Sequence, residues 1–170
     1  MAQGMAIRHA VRAAHCYAAP MQSHLWTVHV DGSALPNPGR MRIGGAAQAP
    51  DGQSHCFSEA LPGVGCNNEA EARAAIHALQ WLQQLGAREV LLYTDNSILA
   101  EQLARPAAKP ITRLADVYDK ARAMAAGFDC VQVQWIPRHR NTVADRLARG
   151  EGEQAAEEHS PVAEQNEKQH

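Results

Sequence analysis

The chain has 170 residues, 45% of them hydrophobic and 20% charged, with 16 Lys and Arg against 18 Asp and Glu and a formal net charge of −2. This is the composition of an ordinary soluble globular protein, long enough for one domain with a real core. No apolar run approaches the roughly 18–20 residues of a membrane span, and Cys16, Cys56, Cys66 and Cys130 show no C-x-x-C spacing, so reduced thiols in a cytoplasmic protein are expected.

The charge is unevenly placed. Residues 151–170 hold six Glu and one Lys, whereas the other 150 residues hold 15 basic and 12 acidic side chains, a charge of +3. A mildly basic body is compatible with a phosphate-rich ligand without being diagnostic of one.

Residues 1–22 are read as an N-terminal extension. They carry Arg8 and Arg12, no acid and many alanines. A disordered segment, or an over-long start with Met21 as the initiator, is expected, with an organelle transit peptide as the alternative. The domain spans residues 23–150. Residues 24–31 alternate as a strand, with Trp26, Val28 and Val30 on one face and Leu25, Thr27, His29 and Asp31 on the other. Asp31 is thereby placed at the carboxyl end of a central strand, where Gly32-Ser33 turns the chain. A Pro/Gly loop at 35–39 leads to strands over 42–49 and 53–60, joined at Pro50-Asp51-Gly52. Gly44-Gly45-Ala46-Ala47 is unusually small for a strand, so an element or a ligand must approach its backbone.

After a loop at 61–65, Ala72, Ala75, Ile76, Leu79 and Leu82 give a helix over 67–85 the i, i+3, i+4, i+7 stripe. The apolar run 89–94 reads as a buried strand with parallel neighbours. A short helix to about Arg105 is broken by Pro106 and Pro110, and another runs from Ile111 to Gly127. Val131, Val133 and Trp135 alternate with Gln132 and Gln134 as an edge strand, and Asn141 caps a final helix ending at Gly150. Residues 151–170, Glu-, Gln- and Ala-rich, are expected to be a disordered acidic tail. The order β-β-β-α-β-α-α-β-α predicts an α/β fold. Its mixed five-stranded sheet has the first three strands antiparallel, the later ones parallel, and helices on both faces.

Four acids stand at the punctuation points of this pattern: Asp31, Glu71, Asp95 and Asp145. Each also has a purely structural reading: a turn residue, a capping-box glutamate after Asn68, an N-cap, and a first-turn acid. Together they point elsewhere. Ligands in α/β sheets bind outside the carboxyl ends of strands, and both helix starts reach that edge. Clustered carboxylates repel, and hard divalent cations such as Mg²⁺ relieve the repulsion. Two such ions can activate water and stabilise the leaving oxygen of a phosphodiester.

The motifs around these acids resemble those of type I ribonucleases H. Asp31-Gly32-Ser33 with Asn37-Pro38-Gly39 is similar to the family's first motif, and Asn67-Asn68-Glu69-Ala70-Glu71 to its second. Thr94-Asp95-Asn96 is similar to the third, and Asn141-Thr142-Val143-Ala144-Asp145 to the last. The resemblance implies a ribonuclease-H-like fold and an endoribonuclease that hydrolyses the RNA strand of RNA–DNA hybrids, leaving 5′-phosphate and 3′-hydroxyl ends. It implies that Asp31, Glu71, Asp95 and Asp145 hold two Mg²⁺ ions, with Mn²⁺ as substitute. It further implies that Gly32, Ser33, Asn37, Gly39, Asn67, Asn68 and Asn96 line the substrate path, and that the protein acts as a monomer.

The chain departs from the family pattern in three places. His139 lies only six residues before Asp145, in a short Pro137-Arg138-His139-Arg140-Asn141 form, so either Arg138 or His139 is the assisting group. Cys66 stands where many members have a threonine that helps hold a DNA phosphate. No Lys/Trp-rich insertion lies between residues 96 and 127. Two rival readings are a 3′–5′ exonuclease of the four-acid class and a catalytically inactive nucleic-acid-binding module. Ser33, where the first rival expects an acid, argues against the exonuclease, and retention of all four acids argues against the inactive module.

Overall fold

The computed structural model describes residues 24–105 and 109–151; the extension expected at 1–22, the break at Pro106 and the tail beyond Glu151 lie outside the described residues. The elements are β1 (Leu25–Leu35), β2 (Gly39–Gln48), β3 (Ser54–Gly65), α1 (Asn67–Gln84), β4 (Glu89–Thr94), α2 (Ser97–Ala104), α3 (Ala115–Ala126), β5 (Cys130–Trp135) and α4 (Thr142–Ala148). One five-stranded sheet has the order β3-β2-β1-β4-β5. The hairpin partners β1, β2 and β3 pair antiparallel, and β4 pairs parallel to both β1 and β5. The mixed sheet expected from the element order is the one observed. No helix among the described residues is long and apolar enough to cross a membrane.

The core lies between the sheet and α1, backed by α3. Val28, Val30, Ile43, Val90 and Leu92 meet Ala72, Ala75, Leu79 and Leu82 of α1, and Tyr118 of α3 closes the far side. The run of alanines on α1 lets the helix sit close to the sheet. The opposite face carries α4. The small stretch in β2 is explained by neighbouring elements, not by a ligand: a Cβ on Gly44 would lie 2.3 Å from the Ala148 backbone nitrogen, and one on Gly45 would meet the Phe57 ring.

Three boundaries differ from the sequence reading. β1 does not end at Asp31 but runs on to Leu35, because β2 supplies partners as far as Leu35 opposite Arg40 after β4 has stopped at Tyr93 opposite His29. Gly32-Ser33 is strand, not turn. β2 begins at Gly39, and β3 reaches Gly65 through an irregularity between Arg40 and Arg42. A bulge accommodates the Pro62-Gly63 segment that the sequence marks as a loop.

Candidate active site

Gly32 sets the geometry. A Cβ there would lie 2.2 Å from the carbonyl carbon of Ala70. Only glycine lets β1 pass so close to the first turns of α1, and this contact sets Asp31 beside Glu71. Both carboxylates are buried and share a hydrogen bond. Asp95 follows β4, which runs parallel beside β1. Ligand oxygens of Asp31, Glu71 and Asp95 all lie within 4.8 Å of one another.

The structural alternatives for two acids fall away. The residue at the N-cap of α1 is Cys66, with no side-chain cap, so Glu71 does not close a capping box. α2 is capped by Asn96, whose Oδ1 accepts from Leu99 N–H at 2.9 Å. Asp95 is thereby released from capping.

Asp145 differs from the other three. It is half-buried at the rim, where its Oδ1 accepts from Arg138 at 2.9 Å and its carboxylate pairs with Arg149 at 3.1 Å. Its charge reaches Asp31, as does that of Arg138.

Burial is the main cause that pushes the Asp31 carboxyl up to about 6. The hydrogen bond from Glu71 and the Arg138 charge oppose the shift, while Asp95 and Asp145 add to it. Glu71 is pushed up further, first by burial and then by the Asp31 charge. A cluster that resists ionising on its own is one that cations complete. Glu71 Oε2 is buried with no hydrogen-bond partner, on a carboxylate that belongs to the cluster. Carboxylate oxygens are the donors hard divalent ions take, so this residue set fits such ions.

An open cleft of about 1080 Å³ surrounds the cluster, lined by Asp31, Glu71, Asp95 and Asp145 and also by Arg40, Arg42, Arg138 and Arg149. Gly32, Ser33, Asn67, Asn68 and Asn96 line it too. Several of these are already engaged. Ser33 Oγ donates to Ala148 O at 3.0 Å, and Asn67 Oδ1 accepts from Ala34 N–H at 2.8 Å. Asn96 Nδ2 donates to Asn68 Oδ1 at 3.0 Å. Asn37 and Gly39 stand outside the lining: Asn37 Oδ1 accepts from Asn67 N–H at 3.1 Å, and Gly39 is buried against Pro36. His139 is exposed and is not part of the lining, whereas Arg138 is.

Five residues at the site are not among those singled out as site residues from the sequence. Asn141 occupies the N-cap position of α4 but makes no cap bond. Its Nδ2 donates instead to Val30 O and to Asp95 Oδ1, both at 2.9 Å, and it is 1% exposed. It ties β1, Asp95 and α4 into one unit. Trp135, expected to share the apolar face of β5 with Val131 and Val133, is half-exposed, and its Nε1–H donates to Asp95 O at 3.1 Å. Its place opposite Thr94 at the sheet end was the available signal. Arg40, Arg42 and Arg149 carry no local signal at all.

Residues 29–150 match the family described as reverse transcriptase-like. The chain is 33% identical over 132 residues to the bifunctional protein Rv2228c of Mycobacterium tuberculosis, an alignment covering 76% of this chain and 36% of that protein. The chain thus spans about a third of the length of the Mycobacterium relatives it matches. It superimposes on the ribonuclease H1 of the halophilic archaeon Halobacterium salinarum with a TM-score of 0.69 at 27% identity, covering 76% of this chain and 98% of that one. LC11 ribonuclease H1, solved in complex with an RNA/DNA hybrid, superimposes with a TM-score of 0.67 at 26% identity, covering 77% and 99%.

Proposed function

We infer the function from one premise: the chain belongs to the reverse transcriptase-like family, among the type I ribonucleases H. It is a ribonuclease H that hydrolyses the RNA strand of RNA–DNA hybrids endonucleolytically, acting as a cytoplasmic monomer through residues 23–150. The observation that carries this reading is the meeting of Asp31, Glu71 and Asp95, from three separate elements, within 4.8 Å, in a cleft that also holds four arginines.

Asp31, Glu71, Asp95 and Asp145 would hold two Mg²⁺ ions, or Mn²⁺ in their place, supplying the positive charge that phosphodiester hydrolysis needs. The hydrolysis adds water across the bond between phosphorus and the 3′ oxygen. Hydroxide joins phosphorus and a proton joins the 3′ oxygen, leaving 5′-phosphate and 3′-hydroxyl ends. Arg138 and Arg149 hold Asp145 at the rim and offer guanidinium forks to the phosphates flanking the cut. Arg138, not His139, is the assisting group, since it lines the cleft and contacts Asp145. Asn68 and Asn96, joined to each other, present amides to the RNA strand, where 2′-hydroxyls and base edges face a shallow minor groove. Asn37, Asn67, Gly32, Ser33 and Gly39 shape that path by holding the backbone around it.

The test is purified protein with Mg²⁺ or Mn²⁺ against an RNA–DNA hybrid, duplex RNA and duplex DNA of one sequence. Cleavage of the hybrid alone, within the RNA strand, is expected. Cleavage of duplex DNA, or of none of the three, overturns the reading.

A further inference from the structure

α4 has seven residues, and the sheet grips its last turn. The helix lies over Gly44, where a Cβ would come within 2.3 Å of Ala148 N and 2.5 Å of the Leu147 carbonyl carbon. Asp31, Gly44 and Ser58 stand in one row across β1, β2 and β3, and Ser33, Arg42 and Ala60 in the next. Side chains of both rows close on the helix end. Ser58 Oγ donates to Leu147 O at 2.7 Å, and Ser33 Oγ to Ala148 O at 3.0 Å. Arg42 Nη2 donates in turn to Ser58 Oγ at 3.3 Å, so the serine that holds the helix is itself held. A Cβ on Gly150 would lie 2.8, 2.9 and 3.0 Å from Nη2, Cζ and Nε of Arg42. Three nearly equal distances place Gly150 over the flat of the guanidinium, and its φ of 78° ends the helix there. The carbonyl end of a helix is its negative end, which favours a cation beside it. Arg42 Nε–H is buried with no partner among the described residues; the guanidinium is committed to the helix end.

Asp145 rides on the turn that this clamp holds, two residues before Leu147. Ligand oxygens of Asp31, Glu71 and Asp95 gather within 4.8 Å, and Asp145 is not among them; it meets Arg138 and Arg149 instead. Asp145 therefore reaches a shared ion only from wherever α4 holds its backbone. We propose that Arg42 and Ser58 are positioning residues for Asp145: gripping the last turn of α4, they set the depth of the helix over the sheet, and with it the affinity for the ion that Asp145 shares. This deepens the reading above and rests on its two-ion site. Asn141 fixes the other end of α4 to Val30 O and Asp95. One anchor leaves a pivot; the clamp at the far end removes it. Partners that orient a ligand without touching the ion commonly govern metal affinity by about 10–100-fold. Ser58 lies outside the cleft lining, so it acts through α4 and not on the substrate.

The experiment titrates Mn²⁺ calorimetrically into the full chain, with thermal melting in chelator as the check on folding. The wild type is expected to bind two ions. Ser58→Ala should weaken the weaker ion about ten-fold and leave the tighter one, held by Asp31, Glu71 and Asp95, unchanged. Ser58→Thr keeps the hydroxyl and should restore the wild-type isotherm. In an Asp145→Asn background Ser58→Ala should add nothing, because the residue it acts through has lost its charge. The Mg²⁺ midpoint for hybrid cleavage should rise by the same factor in Ser58→Ala, with KM for hybrid unchanged. Arg42→Gln should weaken the same ion, and it is judged by the same criteria should Ser58→Ala not fold. An unchanged isotherm in Ser58→Ala, equal weakening of both ions, a further loss in the Asp145→Asn background, or a wild type that binds one ion only overturns the clamp. A wild type that binds two ions and leaves hybrid uncut removes the ribonuclease H reading, and the clamp is then decided by the isotherms alone.

Discussion

The two halves of the acidic cleft are held by opposite means. Asp31 and Glu71 are buried, and the backbone contact of Gly32 with Ala70 sets them side by side. Asp145 rides on a seven-residue helix and is held by Arg138 and Arg149, both largely in water. The first half inherits the rigidity of the core it grows from. The second is held by solvent-screened ion pairs, which exchange partners at little cost. For the proposed function, fixing cations while admitting a long charged substrate, such a cleft would use both: an unyielding floor and an adjustable rim.

The largest effect is expected at the floor. Asp31→Asn removes one charge from the cluster and keeps its shape. Turnover should fall roughly 10²–10³-fold or more, the scale of losing a principal electrostatic group, while the metal-free fold is kept or even gains stability as repulsion is relieved. Hybrid cleavage at saturating Mg²⁺, with calorimetry on the same samples, decides this; wild-type-like turnover would sink the assignment.

Gly32→Ala probes the same floor through packing. Its added Cβ has no room against the Ala70 backbone, so β1 and α1 must part. A loss of about 1–3 kcal/mol in urea denaturation is expected, together with slower cleavage, because Asp31 and Glu71 move with their elements. An unperturbed variant would show that the floor is as adjustable as the rim.

At the rim, Arg138→Ala should lower turnover about ten-fold, and His139→Ala by less. His139→Ala should also keep the shape of the pH–rate profile, as expected for an exposed imidazole outside the cleft lining. Loss of the acidic limb in His139→Ala would transfer the role to the histidine.

The smallest effect concerns stability without metal. A carboxyl whose folded pKa is raised keeps its proton after the unfolded chain has released it, so stability falls as pH rises through that interval. For Asp31 the interval runs from about 4 to about 6, and Glu71 extends it upward. Melting temperature in chelator should therefore decline as pH rises from 4. Asp31→Asn should flatten the lower part, and saturating Mg²⁺ should reverse the decline. A melting temperature that instead rises with pH in chelator would show that the carboxylates are stabilised by ionising.

The mixed sheet and the meeting of Asp31, Glu71 and Asp95 were legible because each rests on local pattern. Alternation marks Val28 and Val30, a 3.6-residue stripe marks α1, and an acid stands beside each turn signal. What escaped depends on partners far along the chain. Asn141 reads locally as a cap, but its amide is committed to Val30 and Asp95, 111 and 46 residues away. Gly32 reads as a turn, because nothing nearby announces that α1 will press against it. Arg40, Arg42 and Arg149 look like any solvated arginine until the fold gathers them on one cleft.

The way α4 is held has a consequence for biosynthesis. A helix of seven residues cannot persist alone; this one is secured by the Ser33 and Ser58 hydroxyls at one end and by Asn141 at the other. Ser33, Ser58 and the Val30 carbonyl that Asn141 reaches lie on strands made long before it. During translation the sheet and three of its acids can assemble while α4 is still inside the ribosome. The nascent chain would then hold the Asp31, Glu71 and Asp95 cluster while the cleft still lacks Asp145, which arrives only when this helix emerges and docks.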